Sequence, residues 1–216
     1  MTYIAFFDLD HTILNTSSGR IIVRSLYKHG FISRAKIRKA MILSMIYKIG
    51  LLGAQTAVAR WSKWFRGISK ESIDTFSAEW FNELKLLIRE DARQEINFHK
   101  NRGGRTVMLS ASPGFICSRI GEFLTMDSVI CTELEVVDGK LSGRLKGKYC
   151  YGREKLVQAR QYCAQSGQSM TDAYYYADSI HDLPVLEAVG NPVCVSPDAQ
   201  LEKIARSKGW RIKNWR

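Results

Sequence analysis

Two stretches far apart in the chain, Phe6-Phe7-Asp8-Leu9-Asp10-His11-Thr12 and Tyr175-Tyr176-Ala177-Asp178-Ser179-Ile180-His181-Asp182, each run from an apolar, β-prone segment straight into paired carboxylates. Asp8 and Asp10 are one residue apart, so on extended backbone their side chains share a side. Carboxylates gathered where strands end repel one another and are costly to bury. A hard divalent ion resolves that cost, because Mg²⁺ takes oxygen ligands in an octahedral shell and keeps positions for water and phosphate oxygens. The pattern therefore predicts strand ends meeting around magnesium, in a site that handles phosphate.

The rest of the composition bounds this expectation. At 216 residues, 45% hydrophobic and 25% charged, the chain can build one principal domain with room for an insertion. Five cysteines, Cys117, Cys131, Cys150, Cys163 and Cys194, are odd in number and widely spaced, which argues against a disulfide framework or a zinc site and for a reduced, cytoplasmic setting. No basic stretch precedes the first apolar run and Asp8 interrupts it, so a secretory signal is not expected. The net charge of +11 is concentrated: between His11 and Lys70 there are twelve Lys and Arg and no acid, leaving 20 cations against 21 acids elsewhere. Such asymmetry marks either a solvated helical surface or a basic face for an anionic partner.

Tyr3–Phe7 reads as a buried strand. From about Ser18 to Arg89 the pattern turns helical, punctuated by Gly30, Gly50, Gly53 and Gly67. A second strand is predicted over Thr106–Leu109, with Pro113 opening a helix, and Asp138-Gly139 marks a hairpin between Glu133–Val137 and Lys140–Leu145. Helix 152–165, strand 173–177, helix 183–189, strand 192–195 and helix 198–208 then alternate. The architecture implied is α/β, a Rossmann-like parallel sheet core (1–16 and 92–216) with a helical cap (17–91) inserted after the first strand. The apolar run 40–54 is too short and interrupted to span a bilayer. It reads as a core helix of the insertion or as an interfacial helix beside the cations.

In an open α/β sheet, ligands bind beyond the carboxyl ends of the strands. Asp8, Ser110 and Asp178 all directly follow predicted strands. Together with Lys155 in Gly152-Arg153-Glu154-Lys155 and the spacing Asp178-Ser179-Ile180-His181-Asp182, they resemble the four ordered motifs of haloacid dehalogenase-like phosphatases. The resemblance spans almost the whole chain and is greatest to the branch that includes phosphoserine phosphatase. It implies a Mg²⁺-dependent phosphomonoester hydrolase working through an aspartyl-phosphate, with Asp8 as nucleophile and Asp10 as general acid and base. It further implies that Asp8, the carbonyl of Asp10 and Asp178 hold Mg²⁺, and that Asp182 orients a bound water or Lys155. Ser110, the backbone N–H of Ala111 and Lys155 would hold the phosphoryl group, and Thr12 would brace the loop after the nucleophile.

Duller roles compete at several positions. Ser110, Ser112 and Asp182 are candidate helix N-caps. Lys155 competes with Lys146 and Lys148, and lysine on a helix is ordinarily solvated. His11 and His181 stand where relatives often carry a small residue and Asn. The segment Asn15-Thr16-Ser17-Ser18 lacks the glutamate with which phosphoserine phosphatase holds its substrate's ammonium, which argues against phosphoserine. A basic, apolar cap instead suits a more anionic ester, including a phospholipid phosphate met at the inner membrane face. The alternatives are a phosphotransferase using the same intermediate, or a non-catalytic module that binds anionic membrane or nucleic acid through the basic segment; the intact acids of both motifs argue against such a module, and nucleic acid is not the expected partner.

Overall fold

The central strand shows why both faces of the sheet must be covered. In β1 (Ile4–Phe7) all four residues are fully buried, and because strand side chains alternate, Ile4 and Phe6 point to one face while Ala5 and Phe7 point to the other. Two apolar layers receive them. The computed structural model describes residues 2–39 and 54–216. Six strands, β1, β2 (Arg105–Pro113), β3 (Ser128–Thr132), β6 (Tyr174–Ala177), β7 (Asn191–Val195) and β8 (Arg211–Lys213), form one sheet in the order β3-β2-β1-β6-β7-β8, parallel throughout. The α/β class and parallel sheet expected from the sequence are borne out.

The chain leaves β1 toward one edge of the sheet and returns to its other side at β6, so β1 sits at the point where the strand order reverses. Phe7 lies level with Met108 and Tyr176. Asp8 and Asp178 are therefore delivered to one rim, beyond adjacent carboxyl ends, whereas Ser110, expected just after its strand, lies within β2, directly after Leu109, where the regular pairing with β3 is interrupted.

Between β1 and β2 come α1 (Ser18–Lys28), α2 (Ala54–Ser62), α3 (Lys70–Leu84) and α4 (Glu90–Asn101). The apolar run 40–54 falls, but for its last residue, outside the described residues; among those described, no helix is long and apolar enough to cross a membrane. The predicted hairpin is present as β4 (Leu134–Val137) and β5 (Lys140–Leu145), antiparallel, with Asp138 and Gly139 both in the left-handed region that a two-residue turn demands. It packs on the inserted helices rather than on the sheet: Ser62 donates to Gly143 O at 2.9 Å, Gly67 N–H to Leu141 O at 2.8 Å and Lys70 N–H to Gly139 O at 2.9 Å.

The second half closes with α5 (Gly114–Phe123), α6 (Arg153–Gln165), the short α7 (Leu183–Leu186) and α8 (Ala199–Lys208). Three boundaries differ from expectation. β2 runs on to Pro113, so α5 opens at Gly114, and α7 is a single turn. β3 and β8 were not anticipated: one is half-buried along most of its length, the other has three residues at a sheet edge, and neither presents a full apolar run.

Candidate active site

After β1 the backbone makes one wide turn. Leu14 N–H reaches Leu9 O at 2.9 Å, Asp10 stays extended (φ −69°, ψ 132°) and His11 is left-handed (φ 58°). This throws the Asp10 carboxylate away from that of Asp8. One Asp10 oxygen accepts the Ser18 N–H at 2.9 Å, and the other faces the hydroxyls of Ser112 at 3.2 Å and Ser17 at 3.3 Å. Ser112 and Ser18 also bond to each other, at 2.9 Å. Asp10 is thereby fixed by the start of α1 on one side and the end of β2 on the other.

Asp8 faces a different group. Carboxylate oxygens of Asp8, Asp178 and Asp182 all lie within 4.8 Å of one another. The Lys155 ammonium, 3% exposed on α6, donates to Asp8 Oδ1 at 2.7 Å, to Asp182 Oδ1 at 2.7 Å and to the Tyr175 hydroxyl at 3.1 Å. Tyr175 in turn donates to Asp182 Oδ1 at 2.6 Å. Thr12 donates to Asp178 Oδ1 at 3.4 Å, which ties the turn after β1 to the loop after β6.

The charge balance of this cluster is incomplete. Three carboxylates face one ammonium, and buried like charges drive proton uptake. Burial first, then Asp182, pushes the Asp8 carboxyl up to about 7 despite the opposing pull of Lys155. Burial and the Asp8 charge push Asp178 up to about 8. Burial alone would lower Lys155, but Asp182 and Asp8 outweigh it and hold the ammonium well above its ordinary range. An all-oxygen donor set short of positive charge suits a hard divalent cation, and the residues present fit Mg²⁺ on that ground.

Ser110 is buried within β2, directly after Leu109 where the regular pairing with β3 is interrupted, and its hydroxyl accepts the Ser112 N–H at 3.1 Å. Neither serine caps α5, whose N-cap is Pro113, and Asp182 makes no side-chain cap bond at α7. Lys148, one of the two rivals of Lys155, pairs with Glu154 at 3.4 Å and is mostly exposed. Two contributors escaped the sequence reading: Tyr175, hidden in a run of three tyrosines where only register decides which one faces the site, and Ser17–Ser18 with Ser112 around Asp10. The Ser112 signal was present but equally compatible with a cap.

A cavity of about 260 Å³ opens at Asp10, lined also by Ser18, Ala111, Ser112, Val58, Trp61 and Tyr149.

The comparisons agree with this geometry. A protein from Neisseria meningitidis named histidinol-phosphatase is 31% identical over the full length of both chains. One from Mycobacterium tuberculosis named phosphoserine phosphatase is 29% identical, covering 100% of this chain and 72% of its own. A crystal structure of a protein of unknown function from Bordetella pertussis superposes with a TM-score of 0.91 at 27% identity, covering 99% of each chain. The model of the haloacid dehalogenase-like hydrolases matches residues 5–187, from the strand that precedes Asp8 through the loop that carries Asp178 and Asp182, and the chain belongs to that family.

Proposed function

We propose that this enzyme hydrolyses phosphomonoesters with Mg²⁺, through a phosphorylated Asp8. The observation that carries this reading is the meeting of Asp8, Asp178 and Asp182 within 4.8 Å, with Lys155 bonded to two of them, beyond the strand ends. In the first step an Asp8 oxygen bonds to phosphorus while the ester P–O bond breaks, and Asp10 passes its proton to the departing alkoxide. In the second, Asp10 takes a proton from water, the water oxygen bonds to phosphorus, and the P–O bond to Asp8 breaks to release phosphate. The bonds from Ser18, Ser17 and Ser112 hold Asp10 in place for both transfers. Ser110, Ala111 N–H and Lys155 are the groups assigned to the phosphoryl oxygens, where fixed donors and charge stabilise the transition state. Asp8, Asp178 and the Asp10 carbonyl would hold Mg²⁺, Thr12 braces Asp178, and Asp182 positions Lys155. When bound, the ion offsets the repulsion between an anionic nucleophile and an anionic ester.

We assign residues 1–16 and 92–216 to the catalytic core and 17–91 to a cap over the rim. The substrate is a small phosphorylated molecule, as the names of the Neisseria and Mycobacterium relatives support; those names differ in the leaving group, and the phosphoryl half of the site is common to both. The lipid reading drew on the charge and apolarity of the cap, and the relatives' names support the small soluble ester over it.

Phosphate release from a panel of phosphomonoesters with Mg²⁺ tests the reading. Asp8→Asn, nearly isosteric, is expected to lower kcat at least a thousandfold with the fold intact by circular dichroism, and EDTA to stop wild-type turnover. Normal turnover by Asp8→Asn would overturn the assignment.

A further inference from the structure

The cavity beside Asp10 bears on the leaving group, because Asp10 is the residue assigned to protonate it. Its lining combines the polar Asp10 and Ser112 with Val58 and Trp61 from α2, Pro113 from the end of β2, and Tyr149 from the segment before α6. Among the described residues that line it there is no Lys or Arg, and Asp10 is the one charged group. Among the described lining residues a leaving group bearing a carboxylate would find no cationic partner, and burying an unpaired charge is strongly unfavourable. One bearing an ammonium would have as partner only the carboxylate already committed to proton transfer.

The lining is also aromatic. Tyr149 stacks face to face on Tyr151, with centroids 5.2 Å apart and planes 5° from parallel, and Tyr151 lies 5.1 Å from the His181 ring. This ladder joins the cavity to the loop that carries Asp182 and sets the plane Tyr149 offers. Trp61 is braced edge-on against the buried Phe65 at 4.8 Å. Trp61 and Tyr149, each in contact with a further ring, give the cavity two aromatic lining residues, which suits an aromatic occupant, since aromatic pairs gain beyond the area they bury. The volume is sufficient: a cavity of roughly 150 Å³ accepts benzene, so about 260 Å³ takes one ring and a short linker to the ester oxygen.

We infer that the enzyme selects phosphomonoesters whose leaving group is a planar ring on a short linker, with no carboxylate. This rests on the phosphatase reading above and adds the substrate class.

The test is kcat/KM with Mg²⁺ for three esters: 2-phenylethyl phosphate, 2-cyclohexylethyl phosphate and O-phosphoserine. The expected order is phenyl first, at least tenfold above cyclohexyl, with phosphoserine a further tenfold lower. Trp61→Leu and Tyr149→Leu, checked for unchanged melting, are each expected to shrink the phenyl-to-cyclohexyl ratio at least fivefold, mainly through KM. Equal rates on the two ring esters, a preference for phosphoserine, or a ratio that neither variant moves would overturn the inference and leave the hydrolase reading standing. Failure of the wild type to turn over any phosphomonoester would overturn both.

Discussion

At the scale of single residues, the site depends on side chains whose roles are set by their neighbours. Tyr175 shares Asp182 Oδ1 with Lys155, so three buried groups close on one another with every bond between 2.6 and 3.1 Å. Removing an outer partner of a metal or phosphate site typically costs 10–100-fold in function. Tyr175→Phe should therefore lower kcat about tenfold with KM changing less than threefold, and should raise the Mg²⁺ concentration needed for half-maximal rate. A change confined to KM, or none, would make Tyr175 a packing residue. His11 sits at a φ of 58°, a conformation that non-glycine residues seldom adopt. The acids, the serine and the lysine were readable from type and order. Tyr175 was not, because all three tyrosines of β6 have the same β propensity and only the pairing register sends the middle one toward Lys155.

At the scale of elements, α4 is pinned to the sheet through His99, which is fully buried. Tyr176 gives its hydroxyl proton to Glu95 at 2.7 Å and so accepts from His99 Nε2 at 2.7 Å, leaving Nδ1 to accept from Tyr3 at 2.9 Å. This arrangement needs a neutral ring, and burial pushes the His99 imidazole down to about 4. A depressed histidine favours folding above its unfolded value of about 6.5 and loses that contribution as pH falls toward 4, because the unfolded chain takes up a proton the native ring refuses. The wild type should lose about 2 kcal/mol relative to His99→Gln between pH 7 and 4.5, measured by urea unfolding of both proteins. A second test concerns the turn before β7. A Cβ on Gly190 would lie 1.7 Å from Thr171 O, a backbone atom with no rotamer to yield. Gly190→Ala should destabilise by about 2 kcal/mol or more, read as a shift in the urea midpoint; an unshifted midpoint would show that the Thr171 turn is free to move. The strands β1, β6 and β7 were plain in the sequence because both faces are buried and the apolar run is unbroken. β3 and β8 lie at the sheet's two edges, where half the pattern is missing.

At the scale of the whole molecule, charge is divided unevenly. The acid-free stretch from His11 to Lys70 finds part of its compensation across the fold, with Arg24 ion-paired to Glu83, and His29 is hydrogen-bonded to Glu79 at 3.1 Å, both acids being on α3. Arg34, Lys36, Arg38 and Lys39 remain exposed, a basic face beside the inserted helices. The acidic cluster at the rim predicts how the cation couples to folding. Because Asp8 and Asp178 are held up to about 7 and about 8, the native protein retains protons that the unfolded chain has released near pH 4. Metal-free stability should therefore fall as pH rises through 7 and 8. A divalent ion replaces those protons, so the rise in melting temperature on adding Mg²⁺ should be larger at pH 8.5 than at pH 6, and Asp178→Asn should diminish it. A pH-independent rise would argue against binding at these carboxylates.

The sequence by itself determined which segments become central strands and that acids follow two of them, because alternation, apolar runs and turn residues act over a few neighbours and need no partner. It also determined the family, since the order and spacing of Asp8, Ser110, Lys155 and Asp178 survive without coordinates. Only the tertiary structure decided that Lys155 is buried against Asp8 and Asp182, that Asp10 turns away to the serines, and that the β4–β5 hairpin joins the inserted helices instead of the sheet. The reason is that burial and orientation depend on which face of each helix the packing turns inward. That choice is made by groups a hundred or more residues away, as with Lys155 and Asp8, and leaves no mark in the local pattern.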